Sequence, residues 1–285
     1  MSIIVFQTVK EMHSFARRCA AENKRVGFVP TMGYLHEGHI SLVKKSNQLC
    51  DITVASIFVN PTQFAPTEDL AKYPRDFERD KKLLEEAGCH VIFYPSPEEI
   101  YPSAYQTYVE VNKITRILEG AYRPTHFRGV TTVVSILFNC VKPDIAFFGQ
   151  KDAQQAAVIK RMALDLKMDI EISVEPIVRE SDGLAMSSRN IYLSPSDRED
   201  ALILSKSLKL GKGLIERGER YSEKIIEAMS NAVSEVKSAK LDYIAIANAE
   251  TFDLAYKLEE GKEYFILIAC RIGATRLIDN FLVKV

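Results

Sequence analysis

Residues 26–60 read VGFVPTMGYLHEGHISLVKKSNQLCDITVASIFVN, and this stretch decides the fold class. Two apolar, β-branched runs, VGFVP at 26–30 and ITVASIFVN at 52–60, flank a segment at 38–50 whose apolar residues recur at helical spacing. Runs as apolar as ASIFV are typical of strands that helices cover on both faces. The stretch therefore predicts two parallel strands joined by a helix.

The same alternation continues to residue 176. Further strands are predicted for HVIFYP at 90–95, IAFFG at 145–149 and DIEISVEP at 169–176. Further helices are predicted at 76–87, 127–141 and 152–166. We therefore predict an α/β fold in which residues 1–177 form a Rossmann-like, doubly wound parallel sheet. Ligands of such sheets bind beyond the carboxyl ends of the strands.

The pattern changes after residue 189. PSDREDALILSKSLKLGKGLIERG at 195–218 opens with a Ser-Pro helix start, and Ile225, Met229, Val233 and Val236 recur at helical spacing. Residues 241–250, 263–272 and 274–285 alternate as strands of an antiparallel sheet do. We predict a smaller C-terminal α+β domain at 178–285 that closes over the site, with the boundary near 176–190, where the sequence is polar and irregular.

Charge and composition exclude several classes of protein. Thirty-seven basic and 38 acidic residues give a net charge of −1, which argues against a chain that coats nucleic acid or an anionic membrane. No window approaches 18 uninterrupted apolar residues. The five cysteines are scattered and form no C-x-x-C pair, so a disulfide framework or zinc knuckle is not indicated. We expect a soluble, cytoplasmic protein with small-molecule ligands, without nucleic acid or membrane partners.

The most informative segment for chemistry is VPTMGYLHEGHISLVKKS at 29–46. His36 and His39 lie where the predicted helix begins, and the unpaired N–H groups at a helix start attract phosphate. The two histidines of a lone H-x-x-H are more often ordinary surface or core residues than phosphate ligands. HEGH is also one residue too short for the H-E-x-x-H zinc spacing. The segment alone leaves a phosphate role and a structural role open.

Polar residues follow two other predicted strands. SIFVNPTQF at 56–64 supplies the amides of Asn60 and Gln63, which suit the hydroxyls or carboxylate of a small substrate. Gln63 is equally well explained as a loop cap. FGQKDAQQ at 148–155 supplies Lys151 as a point charge for phosphate, with Gln155 about one helical turn further on. Asp152 in the same segment has an alternative role as a helix N-cap.

Two further segments supply cations and hydroxyls. GLAMSSRN at 183–190 has the features of a mobile loop that closes over a triphosphate, or of a polar linker. RPTHFRG at 123–129 contains Arg123, His126 and Arg128, of which at least one cation is expected to be solvated. There is no G-x-x-x-x-G-K-[ST] loop, no G-x-G-x-x-G fingerprint and no G-x-S-x-G elbow. Phosphate handling would therefore rely on His, Lys and Ser side chains.

Six segments are informative when taken together: PTMGYLHEGHISLV, SIFVNPTQF, YPRDFERD, EGAYRPTHFRGV, FGQKDAQQ and DGLAMSSRNIYLS. In order and spacing, and across essentially the whole chain, they resemble the pantoate–β-alanine ligase family. The family belongs to a nucleotidyltransferase superfamily, in which the first segment corresponds to the HIGH signature and AMSSR to the KMSKS signature.

The resemblance implies a homodimeric, AMP-forming ligase of the coenzyme A pathway. ATP, accompanied by Mg²⁺, and (R)-pantoate would give pantoyl adenylate and pyrophosphate, and β-alanine would then give pantothenate and AMP. His39 is implied as proton donor, with His36 and Lys151 as the other catalytic residues. The implied pantoate and β-alanine residues are Asn60, Gln63, Arg123, His126 and Gln155. The implied ATP residues are Met32, Gly33, Tyr34, Leu35, His36, Glu37, Gly38, His39, Gly149, Gln150, Lys151, Asp152, Val178, Met186, Ser187, Ser188 and Arg189. No protein metal ligand is predicted.

Two departures from the pattern affect the mechanism. Gln150 stands where many relatives have Glu, and Ala185 stands where the synthetase signature has Lys, so a literal transfer of that lysine mechanism does not follow.

One rival hypothesis is a nucleotidylyltransferase that adenylates a phosphorylated acceptor, for which a second cationic cluster would be expected. A non-catalytic nucleotide-binding module is the other rival, and the intact set of His, Lys and Ser residues argues against it.

Overall fold

The structure, a computed structural model, describes residues 2–65 and 70–285. The chain forms two compact units, one comprising Met1–Gly149 with Val158–Glu175 and the other comprising Gln150–Ala157 with Pro176–Val285. The second unit therefore takes in a short segment that follows a strand of the first. The prediction that a C-terminal domain closes over the site concerns movement between the units and stays a prediction.

The first unit, in its described residues, is an α/β unit. Its strands are β1 (Ile4–Phe6), β2 (Val26–Thr31), β3 (Ile52–Ile57), β4 (Val91–Phe93), β5 (Ile145–Gly149) and β6 (Glu171–Glu175). Its helices are α1 (Val9–Ala21), α2 (Glu37–Leu49), α3 (Phe77–Glu86), α4 (Pro97–Ile100), α5 (Glu119–Tyr122) and α6 (His126–Val141). Helix α7 (Ala153–Asp165) begins in the second unit and ends in the first.

The sheet of the first unit is parallel and doubly wound. Within the described ranges its strand order is β1-β4-β3-β2-β5-β6, and each pairing is parallel. The chain runs outward from β2 through β3 to β4, then returns to the other side of β2 and continues through β5 to β6. The order therefore reverses between β2 and β5, which is the switch point where such sheets bind ligands. The predicted α/β class is confirmed.

Helices cover both faces of this sheet. Phe28 and Val54 pack in a cluster with Met12 of α1 and Val134 of α6. The next residue along β2, Val29, points to the opposite face and packs in a cluster with Val43 of α2. Burial on both faces explains why the strands are apolar almost throughout, which is the property that made them recognisable in the sequence.

Most predicted strands and helices agree with the structure to within a few residues, but two differences matter. The strand predicted at 52–60 ends at Ile57, because Asn60 caps a 3₁₀ turn at Pro61–Gln63. Strand β1 and helix α1 were not predicted. Strand β1 is an edge strand of only three residues. Helix α1 begins with a capping box between Thr8 and Glu11, which is a signal that the sequence contains.

The second unit combines a helix pair with a small sheet. Its longer elements are α8 (Pro195–Glu216), α9 (Ser222–Ser234), β7 (Ala239–Asn248), β8 (Glu263–Ile272) and β9 (Thr275–Lys284). The strands form an antiparallel sheet, as predicted, and their order is β7-β8-β9. Val236, assigned to the second helix from its spacing, lies beyond the end of α9. Among the described residues, the helices are too short or too polar to cross a bilayer.

Candidate active site

The loop between β2 and α2 has a backbone that depends on glycine. Gly33 has φ +83° and is followed by Tyr34 at φ +50°, so the chain enters the left-handed region twice in succession. A Cβ on Gly33 would lie 3.0 Å from both Asp80 Oδ2 and Ile57 Cγ2. Any larger residue at position 33 would be strained and crowded. The loop thus has little freedom between the end of β2 and the start of α2.

Asp80 on α3 is hydrogen-bonded to the backbone of this loop. Its carboxylate accepts hydrogen bonds from Tyr34 N at 2.6 Å and Leu35 N at 2.7 Å, and its side chain is only 1% exposed. Burial raises the pKa of Asp80, while the two backbone N–H groups and Arg79 oppose that rise. Asp80 is the last residue of the segment YPRDFERD, and its role was not predicted from the sequence.

Replacing Asp80 should measurably destabilise the fold. In Asp80→Asn, only one of the two backbone N–H groups keeps an acceptor, so we expect unfolding free energy to fall by about 1–3 kcal/mol. Urea unfolding measures this change. The matched control is Asp76→Asn, because Asp76 is exposed and caps α3, and asparagine is an equally good cap. An Asp80→Asn midpoint equal to that of the control would contradict the role given to Asp80.

His36 and His39 together cap the amino end of α2. Nδ1 of His36 accepts from Gly38 N at 3.1 Å, and His36 N donates to Nδ1 of His39 at 3.3 Å. The two rings lie 4.1 Å apart between centroids. This is the reciprocal arrangement of a capping box, with imidazoles in place of the usual hydroxyl and carboxylate.

The cap fixes the tautomer of both histidines. Because Nδ1 of each ring accepts a backbone N–H, the proton of the neutral imidazole lies on Nε2. Both side chains are partly exposed, at the positive end of a 13-residue helix. Two Nε2–H donors and a helix amino end are therefore collected in one place. Such a constellation is suited to binding and stabilising an anion.

The predicted acceptor residues of the first unit cluster around Gln63. Asn60 Nδ2 donates to Gln63 Oε1 at 3.1 Å, which turns the amide so that Nε2 faces Met32, 3.0 Å from its Sδ atom. The backbone oxygen of Gln63 lies 3.1 Å from His126 Nδ1 and 3.5 Å from Arg123 Nη2. These side chains, predicted from three separate segments, are thus neighbours in the structure.

Asn60 uses its hydrogen-bonding groups within the protein. Nδ2 also donates to Gly129 O at 3.1 Å, and Oδ1 accepts from Tyr101 Oη at 2.8 Å and Thr62 Oγ1 at 2.9 Å. Its side chain therefore orients Gln63, and a direct substrate contact by Asn60 stays a prediction. Gly129 itself is required here, since a Cβ would lie 2.5 Å from Thr62 O. Arg128, by contrast, is exposed, and its guanidinium stacks over Tyr108.

In the second unit, Lys151 lies in a 3₁₀ turn, Gln150–Asp152, that comes immediately after β5. Its side chain is 20% exposed, and Nζ lies 4.0 Å from Asp152 Oδ2. The turn is bonded to Asn280 of β9, which sequence reasoning missed. Gly149, just before the turn, has open space where a side chain would stand.

The segment that contains Met186–Arg189 begins with a hairpin. Met186 N donates to Val178 O at 3.0 Å, and a β-bridge joins Arg179 to Ala185. Ser187 caps the following 3₁₀ turn, Ser188–Tyr192, by accepting from Arg189 N at 3.2 Å. This segment is therefore a hydrogen-bonded hairpin and turn. The prediction that it moves on binding stays a prediction.

Within the described residues, neither a cysteine nucleophile nor a metal site offers an alternative catalytic centre. All five cysteines lie in those ranges as free thiols, and four of them are buried. Burial raises the pKa of Cys89 to about 12 and those of Cys140 and Cys270 to about 11, so none is suited to be a thiolate nucleophile. No group of three or more His, Cys, Asp or Glu residues in these ranges is arranged to hold a metal ion.

Comparison with protein families decides the membership of the chain. The family model described as pantoate-beta-alanine ligase matches residues 4–282. The chain belongs to this family. The resemblance inferred from the six segments is confirmed, and with it the assignment to a family of ligases.

Individual members of the ligase family match the chain over almost its full length. The chain is 54% identical to a pantothenate synthetase of Caldicellulosiruptor bescii, covering 99% of each chain. A crystal structure of pantothenate synthetase from Thermus thermophilus superposes with a TM-score of 0.93 at 43% identity, covering 99% of this chain and 100% of that one. The family fold therefore agrees with the fold described above.

A third member of the ligase family was crystallised with small molecules. It is a pantoate-beta-alanine ligase from Francisella tularensis, complexed with Beta-gamma ATP and Beta-alanine. It is 37% identical to this chain and superposes with a TM-score of 0.79, covering 98% of this chain and 97% of that one.

Proposed function

We propose that this protein condenses (R)-pantoate with β-alanine in two steps, using ATP and releasing pyrophosphate and AMP. The observation that carries the proposal is the amino end of α2, which His36 and His39 cap through their Nδ1 atoms and which suits a phosphate group. Membership of the ligase family supports the same activity. The Francisella relative, complexed with Beta-gamma ATP and Beta-alanine, supports the choice of ligands.

In the first step a carboxylate oxygen of pantoate attacks the α-phosphorus of ATP. The bond from that phosphorus to the bridging oxygen breaks, and pyrophosphate leaves with the bonding electrons. Negative charge grows on the phosphate oxygens, where we assign the Nε2–H groups of His36 and His39 and the ammonium of Lys151. Pantoate supplies its own nucleophile, so the protein needs no general base in this step.

The remaining nucleotide residues are assigned by position. The backbone from Met32 to His39 would bind the phosphates through the helix amino end. Gly149 leaves open space beside its Cα, into which part of the nucleotide would fit. The other residues assigned to ATP are Gln150, Asp152, Val178, Met186, Ser187, Ser188 and Arg189.

Magnesium is assigned to the substrate rather than to the protein. Asp80, a buried carboxylate in contact with the loop between β2 and α2, already accepts two backbone hydrogen bonds. The donors at the amino end of α2 and at Lys151 are positive or neutral, which suits phosphate better than a cation. We therefore write the nucleotide as Mg²⁺-ATP, with the ion held by its phosphates, and derive no step from a protein-bound ion.

Gln63, Gln155, Arg123 and His126 are assigned to pantoate and β-alanine. A neutral amide can fix the carboxylate of pantoate without binding it so strongly that its attack is slowed. In the second step the uncharged amine of β-alanine attacks the acyl carbon, the bond to AMP breaks, and the nitrogen loses a proton. Asn60 contributes by holding the amide of Gln63 in one orientation.

Gln63→Ala should weaken the use of pantoate in particular. A hydrogen bond to a charged group contributes about 1.5–3 kcal/mol, so kcat/KM for pantoate should fall roughly 10- to 150-fold, mainly through KM. KM for ATP should change little, and both constants are measured by pyrophosphate release. Gln48→Ala, at an exposed position of α2, is the matched control. A pantoate KM equal to that of the control would remove Gln63 from the acceptor site.

The proposal as a whole is tested by pyrophosphate release from ATP and pantoate, with and without β-alanine. We expect a burst of about one pyrophosphate per site with pantoate alone, because the adenylate stays bound, and continuous turnover once β-alanine is added. Absence of pantoate-dependent release would overturn the proposal. Release with a phosphorylated acceptor in place of pantoate would instead favour the rival nucleotidylyltransferase.

Two properties implied by the family resemblance belong to the same proposal. We propose that the protein acts in the cytoplasm. We also propose a homodimer, and light scattering of the purified protein would give twice the chain mass of 32.1 kDa if this is correct.

A further inference from the structure

Strand β9 carries two consecutive buried polar residues. Asp279 is 3% exposed and Asn280 is 1% exposed. Successive side chains of a strand point to opposite faces, so burial of both requires polar partners on each side. Those partners lie in two different segments of the second unit, and each segment contains residues that we assign to ATP.

Asn280 is bonded to the turn that contains Lys151. Nδ2 donates to Gln150 O at 2.9 Å and to Lys151 O at 3.0 Å, and Oδ1 accepts from Gln150 Nε2 at 3.0 Å. One amide therefore binds the first two carbonyl groups of the turn and the side chain of its first residue. These bonds fix the backbone from which the Lys151 side chain extends, which limits the positions that its ammonium can reach.

Asp279 is bonded to the hairpin that leads into Met186–Arg189. Arg179 donates to Asp279 through both terminal nitrogens, at 2.7 and 2.9 Å, and to Gly183 O across the hairpin at 3.0 Å. A bidentate pair of this kind fixes orientation as well as distance. Burial raises the pKa of Asp279, and its pairing with Arg179 opposes that rise.

We propose that Asp279 and Asn280 are positioning residues for the adenylation step. Neither needs to touch the nucleotide. Asn280 holds the Lys151 turn, Asp279 holds the hairpin that precedes Met186–Arg189, and their adjacency on β9 ties the two segments to one rigid strand. This inference rests on the proposed function, because it concerns groups that act on ATP.

Removal of Asn280 should impair chemistry more than pantoate binding. In Asn280→Ala the Lys151 turn loses three hydrogen bonds, and a displacement of about 1 Å at a catalytic group can cost up to about 100-fold in rate. We expect kcat for pantoate-dependent pyrophosphate release to fall about 10- to 100-fold, with KM for pantoate within about twofold of wild type. The matched control is Asn248→Ala, whose side chain accepts two backbone hydrogen bonds after β7.

A double-mutant cycle with Lys151→Ala separates positioning from a merely structural role. If Asn280 acts through Lys151, adding Asn280→Ala to Lys151→Ala should lower kcat less than about threefold further, because the affected group is already gone. If Asn280 only stabilises the fold, its effect should be as large in the Lys151→Ala background as in wild type. Asn248→Ala should lower the melting temperature without changing kcat below the unfolding transition.

Each outcome of this cycle decides the positioning role given to Asn280. Multiplicative effects, or a kcat of Asn280→Ala equal to that of Asn248→Ala, would overturn it while leaving the proposed function intact. Wild-type protein without pantoate-dependent pyrophosphate release would overturn both. If Asn280→Ala melts below the assay temperature, the cycle is run with Asn280→Ser, which keeps one donor for the two carbonyl groups.

Discussion

Lys151→Ala should lower kcat/KM for pantoate-dependent pyrophosphate release roughly 10²- to 10³-fold, or about 2.7–4 kcal/mol of transition-state stabilisation. The physical reason is the charge that grows on the phosphate oxygens as pyrophosphate leaves. Lys151 lies in a turn directly after β5, on a side chain that is only 20% exposed, so its charge is partly shielded from water. Loss of a fixed, partly buried charge is not compensated by solvent.

Controls separate this loss from a general effect of charge. Lys160→Ala removes an exposed lysine from α7 and should leave kcat/KM within about twofold of wild type. Lys151→Arg retains the charge but places it in a planar group of different shape, so it should recover only part of the rate. Near-normal adenylation by Lys151→Ala would remove this residue from the mechanism.

His39→Ala should have an effect of the same size, roughly 10²- to 10³-fold in kcat/KM. His39 serves two purposes, since Nδ1 caps α2 by accepting from His36 N and Nε2 has the proton that we assign to phosphate. Alanine removes both the Nδ1 acceptor and the Nε2–H donor. Part of its effect is therefore loss of a cap, which contributes about 0.5–2 kcal/mol to stability.

Two amide variants divide the roles of His39. His39→Asn keeps an acceptor near the position of Nδ1, and His39→Gln keeps a donor near the position of Nε2. We expect His39→Gln to retain more kcat than His39→Asn, and His39→Asn to retain more unfolding free energy. His13→Ala, on α1, is the control for loss of an imidazole. Equal kcat values for the two amide variants would contradict the assignment of Nε2 as donor.

The sequence predicts the sheet well because its strands are buried on both faces. IAFFG at 145–149 becomes β5 with the same ends, since no polar residue interrupts the run and Gly149 stops it. The strand predicted at 52–60 ran too far because Phe58 and Val59 are as apolar as the strand itself. Its true end depends on the side chain of Asn60, which caps the next turn.

Some predicted site residues, such as Asn60, Gln63 and Lys151, come shortly after strand ends, where the fold class itself says that ligands bind. The structure brings Arg123 and His126 into contact with the backbone oxygen of Gln63. Residues that position the site were not predictable in the same way. Asp80 meets Tyr34 across 46 positions of sequence, and Asn280 meets Lys151 across 129, so no local spacing reveals either contact.

The central claim is that the carboxylate of pantoate attacks the α-phosphorus of ATP, and isotope transfer tests it most directly. Pantoate labelled with ¹⁸O in both carboxylate oxygens is incubated with the enzyme, ATP and β-alanine, and the products are analysed by mass spectrometry. If an acyl adenylate forms, AMP acquires one ¹⁸O atom and pantothenate keeps the other. AMP without ¹⁸O, or label in a phosphate released with ADP, would contradict the account.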